Sequence, residues 1–394
     1  MSKDYNDSSV DDGHRDDPPL LGELDVVVVG GGPAGAACAL ALRTHRPELK
    51  VAVVEASGYD DARVGENVSS AVLPLLDYLD AREPFLEQAA YVESFTVQAC
   101  WGHDTPLPQH SMRHWSGEGY LLDRHRFDLM LAERFQERGG KLYLGCRVDT
   151  IDPPAGVRGG HRLHLRHASG RTFALDARFL VDATGRKASI ARRLGARSQR
   201  HDTLIGVSRY FDMDPQASWS RDIIIESAAN GWWYSAPLPG DRLVVTWMTD
   251  AALWRDAAAA DRMSAWEALL ANAPQTHARV RGAAVAADVT LTIRPAHTQV
   301  LDRTTGTDWL ATGDAAASFD PLSSLGIGFA LHSGCHAARA IAGTLAGSAP
   351  EALNLYDQSV QQQFSGYLPG WRSYYQYEQR FPDSAFWQAR RGSP

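Results

Sequence analysis

Asp25-Val26-Val27-Val28-Val29-Gly30-Gly31-Gly32-Pro33-Ala34-Gly35 decides the fold, because a second apolar strand, Val51-Ala52-Val53-Val54-Glu55, follows it and ends in an acid. This is the pattern of a dinucleotide site. Gly30 allows a tight turn, Gly32 lets the backbone approach a pyrophosphate at a helix N-terminus, and Gly35 permits close helix–strand packing. Glu55 is placed to accept hydrogen bonds from the two hydroxyls of an adenosine ribose. The same carboxylate repels a 2′-phosphate, which disfavours NADP at this position. A glycine-rich turn alone would be weak; the flanking strand, the small-residue helix start at 36–42 and the acid carry the reading.

Two later segments extend it. Phe179-Leu180-Val181-Asp182-Ala183-Thr184-Gly185-Arg186 is an apolar strand that breaks into a small-residue turn. Trp309-Leu310-Ala311-Thr312-Gly313-Asp314 leads into Ser318-Phe319-Asp320-Pro321-Leu322-Ser323-Ser324-Leu325-Gly326-Ile327-Gly328. Asp314 follows a strand end, where a carboxylate can accept hydrogen bonds from ribityl hydroxyls. Asp320-Pro321 reads as a helix start with Pro321 in its first position, aiming unpaired N–H groups at the crevice.

In this order the three motifs, spanning 24–328, resemble the FAD-binding signatures of the glutathione-reductase-type flavoproteins. The branch is that of p-hydroxybenzoate hydroxylase, the geranylgeranyl reductases and the flavin-dependent halogenases. The resemblance implies an α/β fold: a Rossmann-like FAD-binding domain, an antiparallel-sheet substrate domain and C-terminal helices. It implies FAD contacts from Gly30, Gly32, Pro33, Ala34, Gly35, Glu55, Ala56, Val148, Asp182, Ala183, Gly313, Asp314, Pro321, Gly326 and Ile327. Arg63-Val64-Gly65-Glu66-Asn67 resembles the element with which the halogenase-like branch approaches the flavin, which adds Arg63. Arg124, in Leu121-Leu122-Asp123-Arg124-His125-Arg126-Phe127-Asp128, is placed beside the FAD in the same way, with a helix-end salt bridge as the competing reading.

With 394 residues, the chain is long enough for two associated domains, and its 44% hydrophobic and 22% charged composition is that of a globular protein. No apolar run reaches the ~18 residues of a membrane span. The net charge of -8 argues against a nucleic-acid partner. Much of it lies in residues 1–23, where Asp4, Asp7, Asp11, Asp12, Asp16, Asp17 and Glu23 face only Lys3 and Arg15. That stretch reads as a disordered acidic tail without the regions of a secretory signal. Cys38, Cys100, Cys146 and Cys335 lack metal or disulfide spacing, so no metal site and a cytoplasmic address are expected.

The expected FAD-binding domain is discontinuous, at 24–90, 119–195 and 299–349. The spacing of Phe127, Met130, Leu131 and Phe135 predicts a helix, and 141–148, 161–167 and 171–177 read as strands. Residues 91–118 and 196–298 form the expected substrate domain, with strands at 204–207, 222–226 and 243–248. Residues 350–394 form a C-terminal helical segment whose many aromatics are read mainly as core.

The fold does not choose the reaction. Gly231-Trp232-Trp233-Tyr234-Ser235-Ala236-Pro237-Leu238 half keeps the halogenase W-x-W-x-I-P: Trp232 and Pro237 match, whereas Tyr234 and Ala236 depart. Ser323 stands where the tryptophan halogenases carry a glutamate. No lysine occurs between Lys50 and Lys141, although those enzymes place one just ahead of the strand Phe95-Thr96-Val97-Gln98-Ala99-Cys100-Trp101. An arginine is a poor replacement, being planar and permanently charged.

The Arg-Val-Gly-Glu, Leu-Asp-Arg-x-x-Phe-Asp, Gly-Trp-Trp-Tyr-x-x-Pro-Leu-Pro and Phe-Pro-Asp-Ser-x-Phe-Trp elements are instead similar to those of flavoprotein maturases. These hydroxylate a tryptophan of a partner protein during tryptophylquinone formation. The resemblance implies an FAD-dependent monooxygenase using O2, with NAD(P)H or a separate flavin reductase as electron source. Its substrate would be an aromatic small molecule or a peptidyl tryptophan. Trp232 and Tyr234 are the candidates for ring stacking, and His103, His110 and His114 the candidate bases. A halogenase, a geranylgeranyl-reductase-like oxidoreductase and a non-catalytic flavin-bound scaffold remain the alternatives.

Overall fold

The computed structural model describes residues 20–60, 65–94, 96–108, 119–152, 160–216, 220–281, 283–285, 290–348 and 350–392. Arg63, His110 and His114 lie outside these residues, as does most of the acidic tail. The first strand, Leu20–Val29, begins inside the stretch assigned to that tail. It pairs in parallel with Val51–Val54 on one side and Thr172–Asp182 on the other. Val26, Val27, Val28 and Val51–Val54 are all buried, as central parallel strands require when both faces are covered.

Residues 141–148 do not form one strand. Gly145, at φ 63°, interrupts them, so Lys141–Tyr143 extends the parallel sheet and Cys146–Asp152 joins an antiparallel meander with His161–His167. Conversely, the meander strand expected at 171–177 and the strand before the D-A-T-G turn are one element, Thr172–Asp182. Its first half pairs with His161–His167, and its last residues pair in parallel with Trp309–Ala311. The late motif is thereby brought into the same sheet as the glycine motif, one strand away.

Helix Pro33–His45 packs against helix Gly326–Gly343 through small residues. A Cβ at Gly334 would fall 2.4 Å from the Ala34 carbonyl oxygen, so the helices approach almost backbone to backbone. Their N-termini consequently emerge at the same crevice. Pro321 starts a short 3-10 turn, Pro321–Ser323, rather than the long helix, which begins at Gly326 after Ser324 in the left-handed region at φ 50°.

A second sheet covers this layer. Its main path runs from Leu204–Asp212 through Arg242–Asp250, Gly231–Leu238 and Ile223–Ala228 to Val97–Cys100. Pairing is antiparallel except between the last two strands. Ala229-Asn230 supplies the two-residue turn between Ile223–Ala228 and Gly231–Leu238, with Ala228 paired to Gly231. Helices Ala251–Ala257, Arg262–Ala271 and Pro274–Arg279, which the sequence reading passed over, pack on its outer face through Trp254, Trp266 and Leu270.

Helix Glu351–Tyr377 and helix Ala385–Arg391 close the remaining side. Their ties to the sheet are polar as well as apolar. Trp387 donates to the Ala228 carbonyl at 2.9 Å, Trp101 to the Tyr374 carbonyl at 3.0 Å, and Arg390 forms two bonds to Asp250. Burial opposes the Glu378 charge, but bonds from Arg380, Ser227 and the Gly102 N–H hold its carboxyl down at about 2. Among the described residues no helix is long and apolar enough to cross a membrane.

Candidate active site

One cavity of about 740 Å³ runs between the parallel sheet and the antiparallel sheet. At its nucleotide end the glycine motif makes a cradle that side chains would fill. Gly30 sits at φ 108°, where a Cβ would meet the Ala183 carbonyl oxygen at 2.2 Å. A Cβ on Gly35 would lie 1.9 Å from the Gly30 carbonyl oxygen. Glu55 ends its strand against this turn, accepting the Gly31 N–H at 2.7 Å and the Ser57 hydroxyl at 2.6 Å. Gly30, Gly32, Pro33, Ala34, Glu55, Ala56, Val148 and Ala183 all line the cavity.

Not every expected contact residue does. Gly35 works beneath the turn, setting the helix–strand distance. Asp182 is buried and accepts the N–H groups of Thr184, Ile190 and Ala191, so it holds the D-A-T-G turn in shape from behind. Burial raises the Asp182 carboxyl, and the hydrogen bonds from Thr184, Ala191 and Ile190 offset part of that rise. Gly313, buried at φ 59°, allows close approach to Ala34, where a Cβ would meet the Ala34 Cβ at 2.5 Å.

Asp314, Pro321, Gly326 and Ile327 line the middle of the cavity. Asp314 accepts a 2.6 Å bond from Arg186, whose guanidinium also donates to the carbonyls of His297 and Phe319. Arg124 serves both readings given above. It pairs with the fully buried Asp128 through two bonds, donates to the Gly65 carbonyl at 2.9 Å, and faces the cavity. Glu66, the residue after Gly65, is 5% exposed and its Oε1 has no hydrogen-bond partner. Burial pushes its carboxyl up to about 7, with the Arg124 charge working the other way.

The far wall is the antiparallel sheet, which presents Gly206, Ser208, Tyr234, Thr246 and Met248. Tyr234 lies among the lining residues; burial first, and then the Glu66 charge, raise its phenol well above the usual range. Trp232, two residues earlier on the same strand face, does not line the cavity. It packs against Trp101, and its indole donates to the Tyr375 hydroxyl at 3.1 Å. Tyr375 and Trp371 in turn donate to Asp320 at 2.8 and 3.1 Å. A C-terminal aromatic block thus occupies the place where Trp232 was expected to stack on substrate.

His103 is likewise away from the cavity, 2.6 Å from the Thr105 carbonyl oxygen in its own loop. The groups that sequence reasoning missed are Glu66, Arg186 and Asp320. The first two stood in quoted motifs without an assigned role. Asp320 was read only as a helix cap; burial and repulsion from Asp202 raise its carboxyl to about 6, against the donors Leu322, Trp371 and Tyr375.

This cradle and donor set fit FAD: N–H groups at the N-terminus of helix Pro33–His45 for the pyrophosphate, Glu55 for a ribose, Asp314 for ribityl hydroxyls, and the N-terminus of helix Gly326–Gly343 for the flavin edge. Comparison with known proteins agrees. A family model described as FAD dependent oxidoreductase matches residues 25–284. LodB of Marinomonas mediterranea, itself named as an FAD-dependent oxidoreductase, is 34% identical over 366 residues, covering 93% of this chain and 96% of LodB.

The chain belongs to the FAD-dependent oxidoreductase family, and FAD is its cofactor. Among solved structures, the flavin-dependent halogenase CmlS superposes with a TM-score of 0.82 at 23% identity, over 95% of this chain and 68% of CmlS. The peptidyl tryptophan dihydroxylase QhpG, described as essential for tryptophylquinone cofactor biogenesis, gives 0.74 at 29% identity, over 95% of this chain and 80% of QhpG.

Proposed function

We propose that the protein is an FAD-dependent monooxygenase that hydroxylates an electron-rich aromatic ring, with a tryptophan of a partner polypeptide as the favoured substrate. The observation that carries the reading is the single cavity in which the nucleotide cradle and the antiparallel sheet face each other. A ring seated against Tyr234 and Met248 would lie between that sheet and the N-terminus of helix Gly326–Gly343. Bound and reduced, FAD supplies the two electrons with which O2 delivers one oxygen to a ring and the other to water.

The protein's own groups would hold the ring, exclude water and keep the reacting atoms in line. Glu55, Asp314 and the two helix N-termini would fix the cofactor; Arg124 would hold the Gly65 turn against it. The similarity to QhpG supports a peptidyl substrate. The sequence also lacks lysine throughout 51–140 and has Ser323 in the late motif. Among the described cavity-lining residues the one lysine is Lys187, on the nucleotide side next to Arg186. O2 and an external donor, NAD(P)H or a flavin reductase, complete the reaction.

Single-turnover product analysis tests this. The FAD-loaded protein, reduced without oxygen, is mixed with O2 and a tryptophan-containing polypeptide from a quinone-forming partner, or with free indoles and phenols. Oxygenation of an aromatic ring is expected, more efficiently on the polypeptide. Reoxidation that yields only hydrogen peroxide with every substrate offered would contradict it.

A further inference from the structure

Glu66 is the most conspicuous group that the reading above leaves without work. Its side chain is nine-tenths or more buried, it lines the cavity, and one carboxylate oxygen lacks any partner in the protein. An unpaired acceptor in such a place is unfavourable unless a ligand satisfies it. Its position is also firmly set. Arg124 holds the Gly65 carbonyl, the Glu66 carbonyl accepts the Leu122 N–H at 2.9 Å, and the following Asn67 donates to Ser324 at 3.0 Å. Arg124, Leu122 and Ser324, the last just ahead of helix Gly326–Gly343, therefore fasten the segment.

The carboxylate shares the cavity with Ser208 and Tyr234 of the sheet. Its charge acts on the hydroxyls of Tyr210 and Tyr234, from neighbouring parts of that wall. Tyr210 carries a second buried oxygen with no partner, beneath the Arg242 guanidinium, which lies 5.0 Å from its ring centre. The groups coupled to Glu66 are thus Arg124 from its helix and Tyr210 and Tyr234 from the sheet, while Arg294 and Asp320 line the same cavity. None of them bonds to its free oxygen.

We infer that Glu66 is the substrate-binding acceptor and general base of the site, taking the N–H of an indole or the O–H of a phenol. This rests on the monooxygenase reading for its chemistry, and on the cavity alone for its binding. As the ring carbon forms its C–O bond and the O–O bond breaks, positive charge spreads to the heteroatom. Loss of the N–H or O–H proton to Glu66 discharges it. The proton on the oxygenated carbon then leaves to solvent, the Glu66 proton returns to the heteroatom, and the carboxylate is restored. The ring C–H bond supplies two electrons, and the reduced cofactor the other two.

Binding is measured first, on the oxidised FAD-loaded protein, with indole and N-methylindole as probes. Wild type is expected to bind indole at least about tenfold more tightly, a difference of one good charge-assisted hydrogen bond. Glu66→Gln should lose that preference while retaining FAD. Because only the ionised carboxylate is the strong acceptor, the preference should grow as pH rises through about 7 and fade below it. In single turnover, Glu66→Gln should slow ring oxygenation by about 100-fold or more.

Equal binding of the two probes by wild type, or binding of neither, overturns the assignment, as does a variant with an unchanged rate. If indole preference depends on Glu66 while no wild-type ring oxygenation is found, the acceptor role stands and the monooxygenase reading falls.

Discussion

Gly35→Val is expected to yield protein that takes up no FAD. The pro-S hydrogen of Gly35 is replaced by a carbon that would fall 1.9 Å from the Gly30 carbonyl oxygen, well inside contact distance, and that oxygen belongs to backbone. Relief would require the helix to lift off the strand or the turn to open. Gly30 is itself held in place, its N–H bonded to the Val54 carbonyl at 2.8 Å and the Ala183 backbone packed against its Cα. The helix N-terminus would then no longer point its N–H groups at the pyrophosphate. Flavin absorbance after incubation with excess FAD and removal of free cofactor checks this, with circular dichroism to compare folded content. A fully yellow variant would mean that the turn is not the pyrophosphate cradle.

Trp387→Ala should destabilise the protein by about 3–5 kcal/mol, the range for removing a large buried aromatic. Trp387 is fully buried against Trp101, Tyr375, Phe381 and Phe386, and its indole N–H is satisfied by Ala228. Its loss would open a cavity and leave that carbonyl unpaired. The consequence should reach the active site, because the same block carries Tyr375 and Trp371, which hold Asp320 at the cavity wall. Chemical denaturation of the FAD-loaded protein measures the loss. A change under about 1 kcal/mol, the level of an ordinary surface substitution, would show that the C-terminal helices are not part of the folded core.

The nucleotide half of the molecule was legible because its chemistry is local. A positive φ at Gly30, a helix N-terminus after Pro33 and a strand-end acid at Glu55 are each written within a few residues. The strand boundaries were less so: Gly145 divides one expected strand, and Ala177 to Phe179 joins two expected strands, since pairing partners far away decide where a ladder stops.

The substrate half depended on still longer-range facts. Trp232 and Tyr234 share a strand face, and alternation treats them alike. Only the return of helix Glu351–Tyr377 covers the first and leaves the second on the cavity. Glu66 stood in the Arg63–Asn67 motif with no role of its own. That its oxygen is buried without a partner follows from the sheet closing over it, which no local pattern records. Gly334 carried a weak signal, a glycine within a small-residue helix, and its meaning appears only against Ala34.

Under the proposed function the cavity transfers oxygen, not halogen, to an aromatic ring. The most direct measurement is product mass from one reaction mixture: FAD-loaded protein, a source of reduced FAD, heavy-isotope O2, excess chloride and bromide, and an indole- or phenol-containing substrate. The sequence has no lysine in 51–140 and Ser323 in the late motif, and the wall opposite the nucleotide presents Tyr234, Ser208 and Thr246 rather than an ammonium. A hydroxylated product carrying the heavy oxygen, with no halide incorporated, is the expected result. Efficient chlorination or bromination of the ring by the wild-type protein would contradict it.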